Sequence, residues 1–174
     1  MKILKQENDP ELLQRHKEAL PLAGLVADFR IVEQNNKLII IQEKIACLID
    51  EKLRQLVRTG KMMEAKALVA DYVEFNLHLW QKGKFDWHFR INHCGLDALG
   101  RIVAFDVGGI RGKPRIAERL KWMSGYFGRK HEKNMEILNY IHPELAGHYR
   151  TLAREKLTRK AAKKAIFSMT KSIP

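Results

Sequence analysis

Asn92 and Asp106 stand fourteen positions apart, on either side of a segment whose sequence predicts a tight hairpin. The turn at residues 97–100 ends on a glycine, where a hairpin needs a positive φ, and the apolar run at residues 102–105 is typical of a buried strand. We therefore expect the hairpin to bring the Asn92 amide oxygen close to the Asp106 carboxylate. These hard oxygen ligands suit Mg²⁺, which keeps water and phosphate oxygens as its other ligands.

Two glycines close this segment, and the first of them is Gly108. Glycine permits a sharp turn after Asp106 and leaves the backbone open to phosphate oxygens. Both polar residues also have a purely structural interpretation. An aspartate between a strand and glycines often forms a turn, and Asn92 is a possible cap for a strand end.

The elements that must position this segment follow from the hydrophobic pattern. We expect a first helix over residues 9–20, a β-hairpin with a polar turn at residues 34–36, and two helices over residues 46–60 and 62–80. After the segment the pattern predicts helices over residues 116–126 and 130–140, and one continuous basic helix from Pro143 to Met169. The expected class is α+β with a mostly helical second part.

This order of elements resembles the protein-kinase-like phosphotransferase superfamily, in a divergent bacterial form. The first helix and hairpin then correspond to a small-lobe remnant at residues 1–45, and residues 46–174 to a helical large lobe with its metal-site hairpin at 91–108. Residues 41–45 resemble the hinge strand of these proteins. Residues 92–108 look like the metal-binding asparagine, the hairpin and a variant of the Asp-Phe-Gly motif.

The resemblance implies a function for several residues. Asn92 and Asp106 would bind Mg²⁺, and Asp106 would hold the ion that bridges the phosphates of ATP. The nucleotide-binding residues would include Gly108, Glu43 in the hinge strand and Glu11 as the small-lobe helix glutamate. Asp86 is the candidate catalytic base.

The chain departs from the family at three places. The catalytic aspartate of the family lies five residues before the asparagine, which is Trp87 here, one position after Asp86. We see no Gly-rich phosphate loop. Only eight residues precede Asp9, so we expect no strand around Lys2 and Lys5 to carry the phosphate-binding lysine. Phosphoryl transfer depends on such positioning groups, so the chain has the features of a pseudokinase or a truncated form.

The positive charge is concentrated in the last third of the chain. Of a net charge of +12, residues 1–110 contribute 16 basic and 15 acidic side chains, and residues 111–174 contribute 16 basic and 5 acidic ones. This asymmetry supports an alternative function, a non-enzymatic basic protein that binds nucleic acid or an anionic membrane surface through residues 111–174. A third interpretation is a solvated helix face. The candidate anion-binding residues are Arg150, Arg154, Arg159, Lys160, Lys163 and Lys164.

Other features exclude several classes of protein. The hydrophobic fraction of 45% is enough for a packed core, and two cysteines cannot make a disulfide framework. The first residues lack the apolar run of a signal peptide, and no stretch approaches the ~20 apolar residues of a membrane span. We therefore expect a cytoplasmic protein.

Overall fold

The computed structural model describes residues 2–6, 24–34, 37–42, 44–82, 85–86, 90–105, 110–111, 131–158 and 160–164. Helices and small antiparallel sheets in these ranges make the protein α+β, as the sequence predicts. Two of the predicted helices, over residues 9–20 and 116–126, lie outside the described residues.

The first sheet has the strand order β1-β3-β2, with β1 at Lys2–Gln6, β2 at Phe29–Gln34 and β3 at Lys37–Gln42. Both outer strands run antiparallel to β3. The β2–β3 pair confirms the predicted hairpin, and three consecutive isoleucines make β3 a good central strand. The tip of the hairpin at residues 35–36 is outside the described residues.

Strand β1 shows that our expectation of no strand before residue 9 was wrong. Its backbone pairs with β3 from Lys2 opposite Gln42, with an irregularity in the register before Gln6. Five residues are a usual strand length once a neighbouring strand supplies the hydrogen bonds. Lys2 and Lys5 therefore do lie in a strand.

Two helices follow the first sheet, α1 at Ile49–Arg58 and α2 at Met62–Gln81. A two-residue strand, β4 at Cys47–Leu48, precedes α1, so this helix begins three residues later than predicted. Asp50 and Glu51 place negative charge in its first turn, where the helix dipole favours it. Gly60 has a φ of 72° just beyond its last turn, a conformation that glycine adopts without strain.

The predicted hairpin is formed by β6 at Cys94–Leu96 and β7 at Ile102–Ala104. Strand β4 joins it, giving the order β4-β6-β7. A separate antiparallel pair links β5 at Phe85–Asp86 with β8 at Ile110–Arg111, so its strands precede and follow the hairpin in sequence.

The core lies between the helices and the hairpin. Residues 131–141 form helix α3, as predicted, and Pro143–Lys156 form α4, which packs along α2. Each fully buried aliphatic side chain contributes about 1.5–3 kcal/mol through the hydrophobic effect. The largest fully buried side chains include Tyr72, Tyr149, Ile49, Leu53, Leu138 and Leu145.

No described helix is long and apolar enough to cross a membrane.

The prediction of one continuous helix from residue 143 to 169 was wrong. Helix α4 ends at Lys156, and helical structure resumes at residues 160–164. Thr158 accounts for the restart, because its hydroxyl oxygen accepts a hydrogen bond from the Ala161 N–H at 3.1 Å. A threonine that binds a backbone N–H three residues ahead caps a new helix start.

Candidate metal centre

The turn of the β6–β7 hairpin is held by one carboxylate. Asp97 Oδ1 accepts from the N–H groups of Leu99 and Arg101 at 2.9 and 2.8 Å, and Oδ2 accepts from Arg101 Nε at 2.7 Å. Burial raises the pKa of Asp97, but these hydrogen bonds outweigh it, and the pKa lies below its ordinary value. Gly100 takes the predicted positive φ, at 77°. The turn is therefore strongly specified.

The hairpin packs closely against the strand before α1. A Cβ atom on Gly95 would lie 2.7 Å from Ile45 Cδ1 and 3.0 Å from the Cys47 carbonyl oxygen. Only glycine allows β4 and β6 to approach this closely. The position of the hairpin relative to α1 is therefore fixed by backbone contact.

Asn92 lies just before the hairpin, in the 3-10 turn Ile91–His93. In the described part of the chain its Oδ1 atom is buried and has no hydrogen-bond partner. Such an acceptor costs roughly 1–3 kcal/mol unless something binds it. A cation is a suitable partner, since an amide oxygen is a normal ligand for Mg²⁺.

A second asparagine positions the turn that carries Asn92. Asn134 on α3 is 2% exposed, and its Oδ1 accepts from the Ile91 N–H at 2.9 Å. Its Nδ2 donates to the hydroxyl oxygens of Tyr72 at 3.0 Å and Tyr149 at 3.1 Å. The amide group thus connects the turn to α2 and α4.

Hydrogen bonds from the first sheet and from residues 25–27 connect to the same hairpin. Gln42, at the end of β3, is 4% exposed, and its Nε2 donates to the Phe105 carbonyl oxygen at 2.9 Å. Nearby, the Ala27 N–H donates to the Ala104 carbonyl, and the Ala104 N–H donates to the Leu25 carbonyl. These bonds fix the sheet against the hairpin one residue before Asp106.

Of the predicted metal and nucleotide residues, the structure describes Asn92 with its side chain. Asp86 lies in β5, opposite Ile110, and its backbone alone is described. The others fall outside the described residues, and the roles predicted for them stay predictions. They are Glu11, Glu43, Asp106 and Gly108.

The predicted anion-binding residues fall on α4 and on the helical turn after it. The five that the structure describes are exposed, and none forms a salt bridge with a described acidic side chain. Lys156 differs, because it pairs with Glu74 on α2. Arg159 lies outside the described ranges. The exposed residues are Arg150, Arg154, Lys160, Lys163 and Lys164.

Sequence reasoning missed Asn134 and Gln42. Asn134 lies four residues before Leu138, so a helix places it on the same face as a core residue. A polar side chain at a core position is a signal for a buried hydrogen-bond network. Gln42 carried no such signal, since a glutamine at a strand end is ordinarily exposed.

Comparison with known proteins adds no family to this description. No protein-family model matches the chain, and no curated protein matches it significantly.

Proposed function

We propose that this chain is a degenerate protein-kinase-like protein that binds Mg²⁺ and ATP beside the β6–β7 hairpin. The observation that carries the proposal is the buried Asn92 Oδ1, which has no hydrogen-bond partner in the described residues. A buried acceptor without a donor gains more from a cation than an exposed amide does, because it has no water to lose.

The hairpin register supports a second ligand at Asp106. Cys94 pairs with Ala104, and the Phe105 N–H donates to the His93 carbonyl at 3.4 Å. Asn92 and Asp106 are the next residues in sequence outside this pair, and we propose Asp106 as the second ligand on that basis. The amide and the carboxylate would then hold the ion, which would neutralise charge on the ATP phosphates.

The strand order of the first sheet gives the proposal a further argument. Strand β1 supplies the strand that the resemblance requires before the first helix, so Lys2 and Lys5 become candidates for the phosphate-binding lysine. Glu11 would pair with that lysine, and Glu43 and Gly108 would contact the nucleotide.

Bound ATP could also serve as the donor in a phosphotransferase reaction. An acceptor hydroxyl oxygen would form a bond to the γ-phosphorus, the bond to the bridging oxygen would break, and ADP would leave. Asp86 is the base that would take the hydroxyl proton. Trp87 stands where the family has its catalytic base. We therefore expect the chain to bind ATP but to transfer its γ-phosphoryl group slowly.

Calorimetry of ATP binding tests the proposal directly. We expect Mg²⁺-dependent binding in the native chain, and a loss of about tenfold or more in affinity in Asp106→Ala and in Asn92→Leu. Asn139→Ala is the matched control, because Asn139 is exposed on α3. An ATP affinity that changes neither with Mg²⁺ nor with these two substitutions would overturn the proposal.

A second candidate function rests on five exposed basic side chains, which are Arg150, Arg154, Lys160, Lys163 and Lys164. Without acidic partners among the described residues, they favour a polyanion. Binding of a single-stranded oligonucleotide would then fall steeply between roughly 50 and 200 mM salt and survive Asp106→Ala. Fluorescence anisotropy measures oligonucleotide binding by the native chain and by Asp106→Ala. The first function makes a different prediction for that variant, the loss of Mg²⁺-dependent ATP binding.

A further inference from the structure

A cavity of about 600 Å³ lies between α3, α4 and the break that follows α4. This volume is within the range of sites for small organic ligands. It is separate from Asn92, and none of its lining residues belongs to the hairpin. We propose that the cavity binds a phosphate ester with an apolar body.

Two guanidinium groups supply the charge. Arg150 and Arg154 are four residues apart on α4, so they share one face of the helix, and both line the cavity. Neither has a salt bridge to an acidic side chain in the described ranges. Arginine is well suited to phosphate, because its planar donors bind two oxygens at once.

The break after α4 adds a hydroxyl to the same cavity. Thr158 Oγ1 accepts the Ala161 N–H, so the hydroxyl proton is available to an acceptor in the cavity. Glu132 also lines the cavity and contributes one negative charge against the two arginines. Counted over the described lining residues, and with His131 taken as neutral, the two arginines and Glu132 give a net charge of +1. An anion is therefore favoured, and the Glu132 carboxylate suits a hydroxyl group on its body.

The floor of the cavity is apolar. The half-buried Met135 lines it, and the buried side chains of Ala153, Leu157 and Tyr149 lie beneath it. An inorganic anion would leave the apolar floor exposed to water, whereas the aromatic or alkyl group of an ester would bury it. The combination of two guanidinium groups and an apolar floor thus selects an ester over free phosphate.

Tyr149, beneath the floor, is held in place before any ligand binds. The Tyr149 hydroxyl oxygen accepts from Asn134 Nδ2 at 3.1 Å and lies 2.8 Å from His131 Nδ1. Tyr149 is 2% exposed, which fixes its ring. A fixed floor lowers the entropy cost of binding.

Calorimetry with phenyl phosphate, in the presence of EDTA, tests the proposal. We expect binding without Mg²⁺, and affinity for inorganic phosphate that is weaker by about tenfold or more, because the phosphate ion does not cover the apolar floor. The double variant Arg150→Gln/Arg154→Gln should lose about tenfold or more in affinity. Arg58→Gln, an exposed arginine at the end of α1, is the matched control and should bind as the native chain does.

Methionine methyl resonances locate the ligand independently of these variants. The Met135 signal should shift on addition of phenyl phosphate, and the Met63 signal should not, since Met63 is 77% exposed on α2 and does not line the cavity. Equal affinity for phenyl phosphate and inorganic phosphate, or an unmoved Met135 signal, would overturn the proposal. Oligonucleotide binding through the same arginines, without phenyl phosphate binding, would also overturn it. Because the assay contains no Mg²⁺, failure here leaves the proposed nucleotide site standing.

Discussion

Two asparagines near the same turn differ in whether their amide oxygen has a hydrogen-bond partner. Asn134 has its oxygen bound by the Ile91 N–H and its nitrogen bound to two tyrosine hydroxyls. Asn92, one residue after Ile91, has a buried Oδ1 with no partner in the described residues. The satisfied amide stabilises the fold, and the unsatisfied one is destabilising without a ligand. This difference separates a structural polar residue from a candidate binding residue.

The largest expected effect comes from Asn134→Leu. The substitution removes the acceptor of the Ile91 N–H and one partner from each tyrosine hydroxyl, so we expect a loss of about 3 kcal/mol in the free energy of unfolding. Urea unfolding measures it. The control Asn139→Leu, at an exposed position of the same helix, should change stability by less than about 0.5 kcal/mol. Equal losses in both variants would remove the distinction we draw for Asn134.

The hydroxyl of Tyr149 predicts a dependence on alkaline pH. Burial raises its pKa from 10.0 to about 12, against a smaller opposing effect of the Asn134 hydrogen bond. In the unfolded chain Tyr149 has the ordinary pKa of 10.0, so the folded state favours the neutral phenol. The resulting contribution to the free energy of unfolding is complete below pH 10 and is lost as the pH rises towards 12. Between pH 9 and 12, the native chain should lose about 2 kcal/mol more than Tyr149→Phe does.

Urea unfolding at both pH values measures that difference. Tyr140→Phe is its control, because Tyr140 is 80% exposed and the variant keeps the buried Tyr149 hydroxyl. A parallel decline in stability of the native chain and Tyr149→Phe would contradict the assignment.

A glycine pair tests how firmly the hairpin beside Asn92 is held. Gly95→Ala introduces a Cβ 2.7 Å from Ile45 Cδ1, and the overpacking should cost about 1–3 kcal/mol. Gly147→Ala meets nothing within 4 Å and lies inside α4, so it should stabilise the protein by about 1 kcal/mol. Thermal unfolding of both variants should therefore give shifts of opposite sign. A neutral Gly95→Ala would mean that β4 and β6 are not in backbone contact.

The smallest expected effect is that of Asn92→Leu. Asn92→Leu removes a buried acceptor that has no partner among the described residues. Without Mg²⁺ the free energy of unfolding of this variant should therefore lie between that of the native chain and about 1 kcal/mol above it. The sign is opposite to that of Asn134→Leu. Urea unfolding in EDTA checks it, and a loss as large as that of Asn134→Leu would show that Asn92 is a structural residue.

Local patterns predicted much of the scaffold around this site. The 97–100 turn followed from its aspartate and glycine, and α2 followed from a broad apolar face that ends near Gln81. Patterns were insufficient where a distant partner decides. Strand β1 has only five residues and forms because β3 pairs with it. The break after α4 depends on Thr158, which caps a new helix start. Its neighbours in sequence favour a helix, so the sequence pattern does not indicate this cap.

The α+β class, the β2–β3 and β6–β7 hairpins and the concentration of positive charge after residue 110 could all be predicted from the sequence. They depend on neighbouring residues and on composition. Tertiary structure alone decided which polar atoms have partners. Asn92 and Asn134 are the same residue type, and the difference between them arises from α3, which brings one amide to the Ile91 N–H, Tyr72 and Tyr149. Hydrogen-bond partners of buried groups come from distant parts of the chain, so no local pattern specifies them.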